Sequence, residues 1–192
     1  MNICVYGASS DLIDKEFINQ GEILGEKMAD RGHSLVFGGG AHGLMGAVAR
    51  GVSRGNGNII GIAPSFFNVD GVLYDKCSDF IYTETMRERK QTMENLSDAF
   101  IMTPGGIGTF EEFFEILTLK QLAQHNKPIA VLNTNGYFDD IANLMGNAAK
   151  KNFMQRGTLE LYKFFTDCNE MLDYIENYSD EKRDIHSLKN IR

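Results

Sequence analysis

Short runs of consecutive apolar residues alternate along the chain with longer stretches in which apolar residues recur every three or four positions. Ile3–Tyr6, Ser34–Phe37, Asn58–Ile62, Ala99–Met102 and Ile129–Leu132 are brief and mostly apolar, the pattern of strands buried on both faces of a parallel sheet. Ile13–Arg31, Leu44–Arg54, Met86–Leu96, Phe110–Gln124 and Phe138–Lys150 lie between them with helical period. Strict alternation with right-handed crossovers predicts an α/β fold: a doubly wound parallel sheet with helices on both faces. Ligands of such sheets bind beyond the carboxyl ends of the strands. Attention therefore falls on residues 7–10, 38–46, 63–67, 83–90 and 103–112. Pro64 to Asp79 is the least regular stretch and is expected to form a flexible loop near the site.

Composition narrows the picture. With 192 residues, 43% of them hydrophobic and 23% charged, the chain fits one folded domain of the usual ~100–200 residues. Residues 1–177 are expected to form that domain. Tyr178 to Arg192 is dense in charge and reads as a polar C-terminal tail. The formal charge of -7 argues against nucleic-acid polymers, which are held by clustered Lys and Arg. Cys4, Cys77 and Cys168 are widely spaced and odd in number, which suggests neither a disulfide framework nor a zinc site and points to a reducing, cytoplasmic setting. The N-terminus lacks a basic segment followed by an apolar one, and no membrane span is expected. Gly, at 20 residues, exceeds the usual ~7%. Nine of these glycines fall between Gly38 and Gly61, and three more are Gly105, Gly106 and Gly108.

Both glycine clusters follow an expected strand and open an expected helix, where backbone N–H groups and the helix dipole make an anion site. Gly38, Gly40 and Gly43 satisfy G-x-G-x-x-G, but no acid follows at the spacing that holds a dinucleotide ribose, and no P-loop pattern occurs. Gly46 and Gly51 suit close helix–strand packing. In the second cluster, Thr109 is expected at a helix N-cap. Thr109-x-x-Glu112 then reads as a capping box, so spacing alone leaves Glu112 open between capping and catalysis. Glu111 and Glu115 add carboxylates beyond what a cap requires. Ser9 and Ser10 either contact a phosphate or cap the helix beginning near Leu12, aided by Asp11 and Asp14.

Arg87, Arg89 and Lys90 place three cations at a helix start, which the helix dipole disfavours unless an anion is near. Thr85-x-x-Glu88 is a second capping box. Arg89 and Lys90 remain to clamp a phosphate or to pair with Glu112 and Glu115. His33 reads as a turn residue, and His42 as a ligand contact or an exposed turn. The four histidines show no metal-ligand spacing, and no G-x-S-x-G elbow activates a serine.

Pro104-Gly-Gly-Ile-Gly-Thr-Phe-Glu-Glu112 matches P-G-G-x-G-T-x-x-E, and Met86-Arg-Glu-Arg-Lys90 resembles M-H-x-R-K. With Gly38–Gly46, Leu96–Phe100, Lys127–Asn133 and Asn135-Gly-Tyr-Phe138, the sequence resembles the LONELY GUY (LOG) family of cytokinin riboside 5'-monophosphate phosphoribohydrolases, long mislabelled as lysine decarboxylases. The resemblance implies a modified Rossmann fold, usually a homodimer with the site near the subunit interface. It implies Arg89 and Glu112 as the catalytic pair. The phosphate and substrate contacts would come from Ser9, Gly39, Gly40, Gly43, Met86, Lys90, Pro104, Gly105, Gly106, Gly108, Thr109 and Glu115. The implied reaction is hydrolysis of the N-glycosidic bond of a nucleoside 5'-monophosphate, with no cofactor and no metal. Two departures stand out: Arg87 replaces the motif's His, and Leu119-Lys120 replaces Trp-Ser or Trp-Ala. A non-catalytic nucleotide or molybdenum-cofactor carrier of the same fold is the rival reading, and a pyridoxal-phosphate lysine decarboxylase is a third.

Overall fold

In the computed structural model, which describes residues 1–179, seven strands form one sheet in the order β4-β3-β2-β1-β5-β6-β7. They are β1 (Asn2–Tyr6), β2 (Ser34–Phe37), β3 (Ile59–Pro64), β4 (Asp79–Thr83), β5 (Ala99–Met102), β6 (Ile129–Leu132) and β7 (Lys163–Phe165). Every pairing is parallel. Six helices connect and flank them: α1 (Lys15–Asp30), α2 (Gly43–Arg54), α3 (Met86–Leu96), α4 (Ile107–Gln121), α5 (Asp139–Lys150) and α6 (Cys168–Glu176). The doubly wound α/β expectation therefore holds. Most of the tail read from the sequence, residues 180–192 with His186, lies outside the described residues.

Alternation along β1 divides the core between the two faces of the sheet. Ile3 and Val5 join one apolar cluster with Leu24, Val48 and Leu172, while Cys4 and Tyr6 join the other with Met93, Phe113 and Met145. On the first face α1 and α2 pack backbone to backbone. A Cβ on Gly25 would stand 2.1 Å from the Val48 carbonyl oxygen, and one on Gly51 2.1 Å from that of Glu22. Gly51 thus serves close packing of helix on helix, and not of helix on strand as the sequence suggested. Arg50 and Arg54 brace the same pair through Glu22 and Glu26.

Several sequence expectations need correction. β4, β7 and α6 were not anticipated: β4 follows the irregular stretch directly, and β7 has only three residues, too few to show a period. Helix α1 starts at Lys15 and not near Leu12, and its N-cap Asp14 makes no side-chain cap bond. Asp11 instead accepts from the Gly43 amide at 2.7 Å, serving the start of α2. His33 lies in the α1–β2 turn, as read from the sequence. It is buried, and its Nε2 meets the Glu176 carboxylate at 2.7 Å, tying the α1–β2 turn to α6. Among the described residues, no helix is long and apolar enough to cross a membrane.

Candidate active site

The strand order reverses between β1 and its neighbours β2 and β5, the topological switch point at which open α/β sheets leave a crevice. A cavity of about 620 Å³ opens there. The turns after β1, β2 and β5 line it with Gly7 to Ser9, Gly38, Gly40, Gly106, Gly108 and Thr109, joined by Met86, Arg89, Glu111 and Glu112.

Arg89 and Glu112 come from facing helices. The α3 N-terminus is fixed by the expected capping box, with Thr85 and Glu88 each accepting from the other's amide. Arg89 lies one turn into α3. Its Nε donates to the Ile62 carbonyl at the end of β3, at 3.2 Å, and a terminal N–H donates to Glu112 Oε1 at 2.9 Å. The other terminal nitrogen fills the space over Gly38, where a Cβ would stand 1.9 Å away. That contact gives the first glycine of the triplet a function: any side chain there would displace the guanidinium. Arg89 and Glu112 are 7% and 8% exposed. Burial pushes the Glu112 carboxyl above its ordinary range, and the Arg89 charge and hydrogen bond only partly offset the loss of water. The arrangement is a preorganised carboxylate in a buried corner of the cavity, able to face developing positive charge or to take a proton from water.

Helix α4 begins earlier than the sequence suggested. Gly106 is its N-cap, so Thr109 is not a cap but lies in the first turn, buried, and no capping box forms with Glu112. The alternative left open for Glu112 is thereby decided against capping. The first-turn amides of Ile107, Gly108 and Thr109 have no acceptor within the helix, which presents the N–H array expected of an anion site. Across the cavity, Gly43 starts α2 at φ +59, and a Cβ there would meet the Ala8 carbonyl oxygen at 2.5 Å.

The irregular stretch lies beside the site, as expected, but the sequence did not show that it would form the cavity's third wall. Phe67, Val72 and Leu73, from the irregular stretch, line it together with Met45. This strap is stitched to the glycine turn through Ala41 N to Val72 O and Tyr74 N to Gly39 O. His42 adds Nε2 to the Gly71 carbonyl at 2.8 Å and Nδ1 to Asp11 at 2.6 Å. The Gly71 carbonyl, then Asp11, raise the His42 pKa. The signals were apolar residues in an otherwise polar loop, too irregular to read as periodicity.

Other expected site residues point elsewhere. Lys90 pairs with Glu111 and, at 2.8 Å, with Glu115. Lys90 and Glu115 line a second cavity of about 340 Å³ with Tyr6, Arg87 and Leu119, and Glu112 borders both. Pro104 and Gly105 line a smaller one. Gly39 and Gly43 shape the turn without lining the large cavity. Among the described residues no lysine lines that cavity, so it offers no Schiff-base partner for pyridoxal phosphate. Nor does any group of His, Cys, Asp and Glu among them form a metal-binding cluster.

A family model described as "Possible lysine decarboxylase" matches residues 45–175. The probable cytokinin riboside 5'-monophosphate phosphoribohydrolase LOGL5 of Oryza sativa subsp. japonica is 32% identical over 187 residues, 97% of this chain and 76% of its own. The chain belongs to the LOG family. Another LOG-family relative, the cytokinin riboside 5'-monophosphate phosphoribohydrolase LOG2 of Arabidopsis thaliana, is 31% identical over 92% of this chain and 83% of its own. Among solved structures, the molybdenum cofactor binding protein of Rippkaea orientalis superposes with a TM-score of 0.69 at 22% identity, covering 91% of this chain and 94% of that one. The Moco carrier protein of Chlamydomonas reinhardtii gives 0.67 at 20% identity with the same coverage. At those identities the LOG-family chain shares a fold with them.

Proposed function

We propose that this cavity hydrolyses the N-glycosidic bond of nucleoside 5'-monophosphates, with N6-modified adenosine 5'-monophosphates as the favoured class, releasing cytokinin or adenine and ribose 5-phosphate. The observation that carries the reading is the buried Arg89–Glu112 pair facing a cavity rimmed by glycine amides. The bond breaks through an oxocarbenium-like sugar. The Glu112 carboxylate would stabilise that charge and activate the water whose hydroxyl joins the anomeric carbon, its proton balancing the departing base. Arg89 holds the carboxylate in place. The α4 amides and the Thr109 hydroxyl would hold the 5'-phosphate, whose binding energy positions the sugar. Met45, Phe67, Val72 and Leu73 give the apolar wall that suits a purine with an apolar N6 substituent.

Incubation with AMP and its N6-isopentenyl analogue, scored for free base by chromatography, is expected to show release. Arg89→Ala and Glu112→Gln should each lower turnover roughly 10²–10⁴-fold while still unfolding in one cooperative transition, at a lower temperature for Arg89→Ala because Glu112 is left buried without its partner. Nucleotide binding without base release by the wild-type chain would overturn the reading in favour of a carrier. The family resemblance further supports one catalytic domain over residues 1–177 and a homodimer with the cavity near the subunit interface. A cytoplasmic location fits the three free cysteines.

A further inference from the structure

The Asn135-Gly-Tyr-Phe138 run has no role in the scheme above, yet its backbone is held in a specific turn. Asn135 and Gly136 are consecutive left-handed residues, at φ 53 and φ +71. The Asn133 side chain locks the turn by accepting from the Phe138 amide at 2.7 Å and donating to Asp139 at 2.8 Å. Such a conformation persists only where surrounding structure enforces it. Its effect is to deliver Tyr137 to the Pro104–Gly106 turn, where the phenol donates to the Gly105 carbonyl at 2.8 Å. The ring is held edge-on by Phe17 and Phe138.

That bond matters because of what it holds. A Gly-Gly peptide has no Cβ on either side to resist rotation, and a flip would exchange its N–H for its C=O. In a trans peptide the two groups point in opposite directions. With the carbonyl drawn to Tyr137, which lines the smaller cavity and not the large one, the Gly106 N–H points away from Tyr137. The neighbouring carbonyls are also engaged: Pro104 accepts from the Ala8 amide at 3.0 Å, and Gly106 from Phe110 at 3.0 Å. A bare carbonyl turned toward an anion would repel it, whereas N–H groups attract it.

We propose that Tyr137 is a positioning residue that locks the Gly105–Gly106 peptide, turning the Gly106 N–H toward the substrate's 5'-phosphate. The inference rests on the reading that a phosphate sits at the α4 N-terminus. Tyr137→Phe removes the hydroxyl and keeps the ring contacts. In a Glu112→Gln background, which turns AMP over too slowly to disturb the titration, calorimetry with AMP and with adenosine is expected to show AMP affinity about tenfold weaker on adding Tyr137→Phe, the scale of one hydrogen bond, with adenosine affinity unchanged. The KM for AMP should rise by the same factor with little change in kcat. Independently, inorganic phosphate titrated into ¹⁵N-labelled wild-type protein should move the Gly106 amide proton resonance downfield, a readout that survives if the variant fails to fold. Phosphate binding that leaves Gly106 unmoved, or an unchanged AMP-to-adenosine affinity ratio in Tyr137→Phe, overturns this inference alone. A wild-type chain that binds neither AMP nor phosphate removes it together with the phosphate-site reading.

Discussion

Glu112 is buried with a single guanidinium bond at 2.9 Å, and burial of that kind costs a carboxylate more than one partner returns. The direction of its pKa, above the ordinary value of 4.5, has a kinetic consequence. Because the ionised form is the one proposed to act, kcat/KM should fall on the acid side through an apparent pKa higher than 4.5, and a limb at or below the ordinary value would contradict it. The pH–rate profile of base release measures this directly. From the sequence, the cation cluster, the carboxylates and the family motif singled out Arg89 and Glu112, but spacing could not separate a cap from a catalyst. The separation came from the start of α4. Gly106 takes the N-cap, which places Thr109 inside the helix and leaves Glu112 to reach across to α3. Asp11 shows the opposite failure: an acid close in sequence to α1 bonds the start of α2, 32 residues away.

Elements with a clear period were legible almost to the residue: β2, β5, β6 and α3 begin and end where the apolar pattern does. Elements defined by docking were not. β7 gains its identity from pairing Val131 with Phe164, and α6 is held to the α1 region by Lys27–Asn169, Arg31–Asp173 and His33–Glu176. The α1–α2 contact illustrates the same dependence in energetic terms. Gly51→Ala should destabilise the chain by about 3 kcal/mol, since both sides of the contact are backbone and neither can yield cheaply. Urea unfolding should show a lower midpoint at unchanged slope; an unshifted midpoint would mean that the helices separate without cost.

For the molecule as a whole, a net charge of -7 and a phosphate ligand are compatible because the cavity relies on local donors. Arg89 is neutralised by Glu112 and Lys90 by Glu111 and Glu115, which leaves helix-start amides as the main attraction for an anion. The proposed pairing of two chains is tested by sedimentation equilibrium, which should report twice 21.5 kDa; a single-chain mass at micromolar concentration would refute it. The sequence by itself determined the strand–helix alternation from β1 to α5, apart from β4, together with the glycine-rich turns and the family, since periodicity, turn chemistry and motifs are local properties of the chain. Only the tertiary structure decided that Arg89 bonds Glu112, that the irregular strap becomes a cavity wall and that Tyr137 reaches Gly105. Those contacts join residues 23 to 32 positions apart, and which distant groups meet depends on how the sheet and its helices pack, a choice that no local pattern encodes.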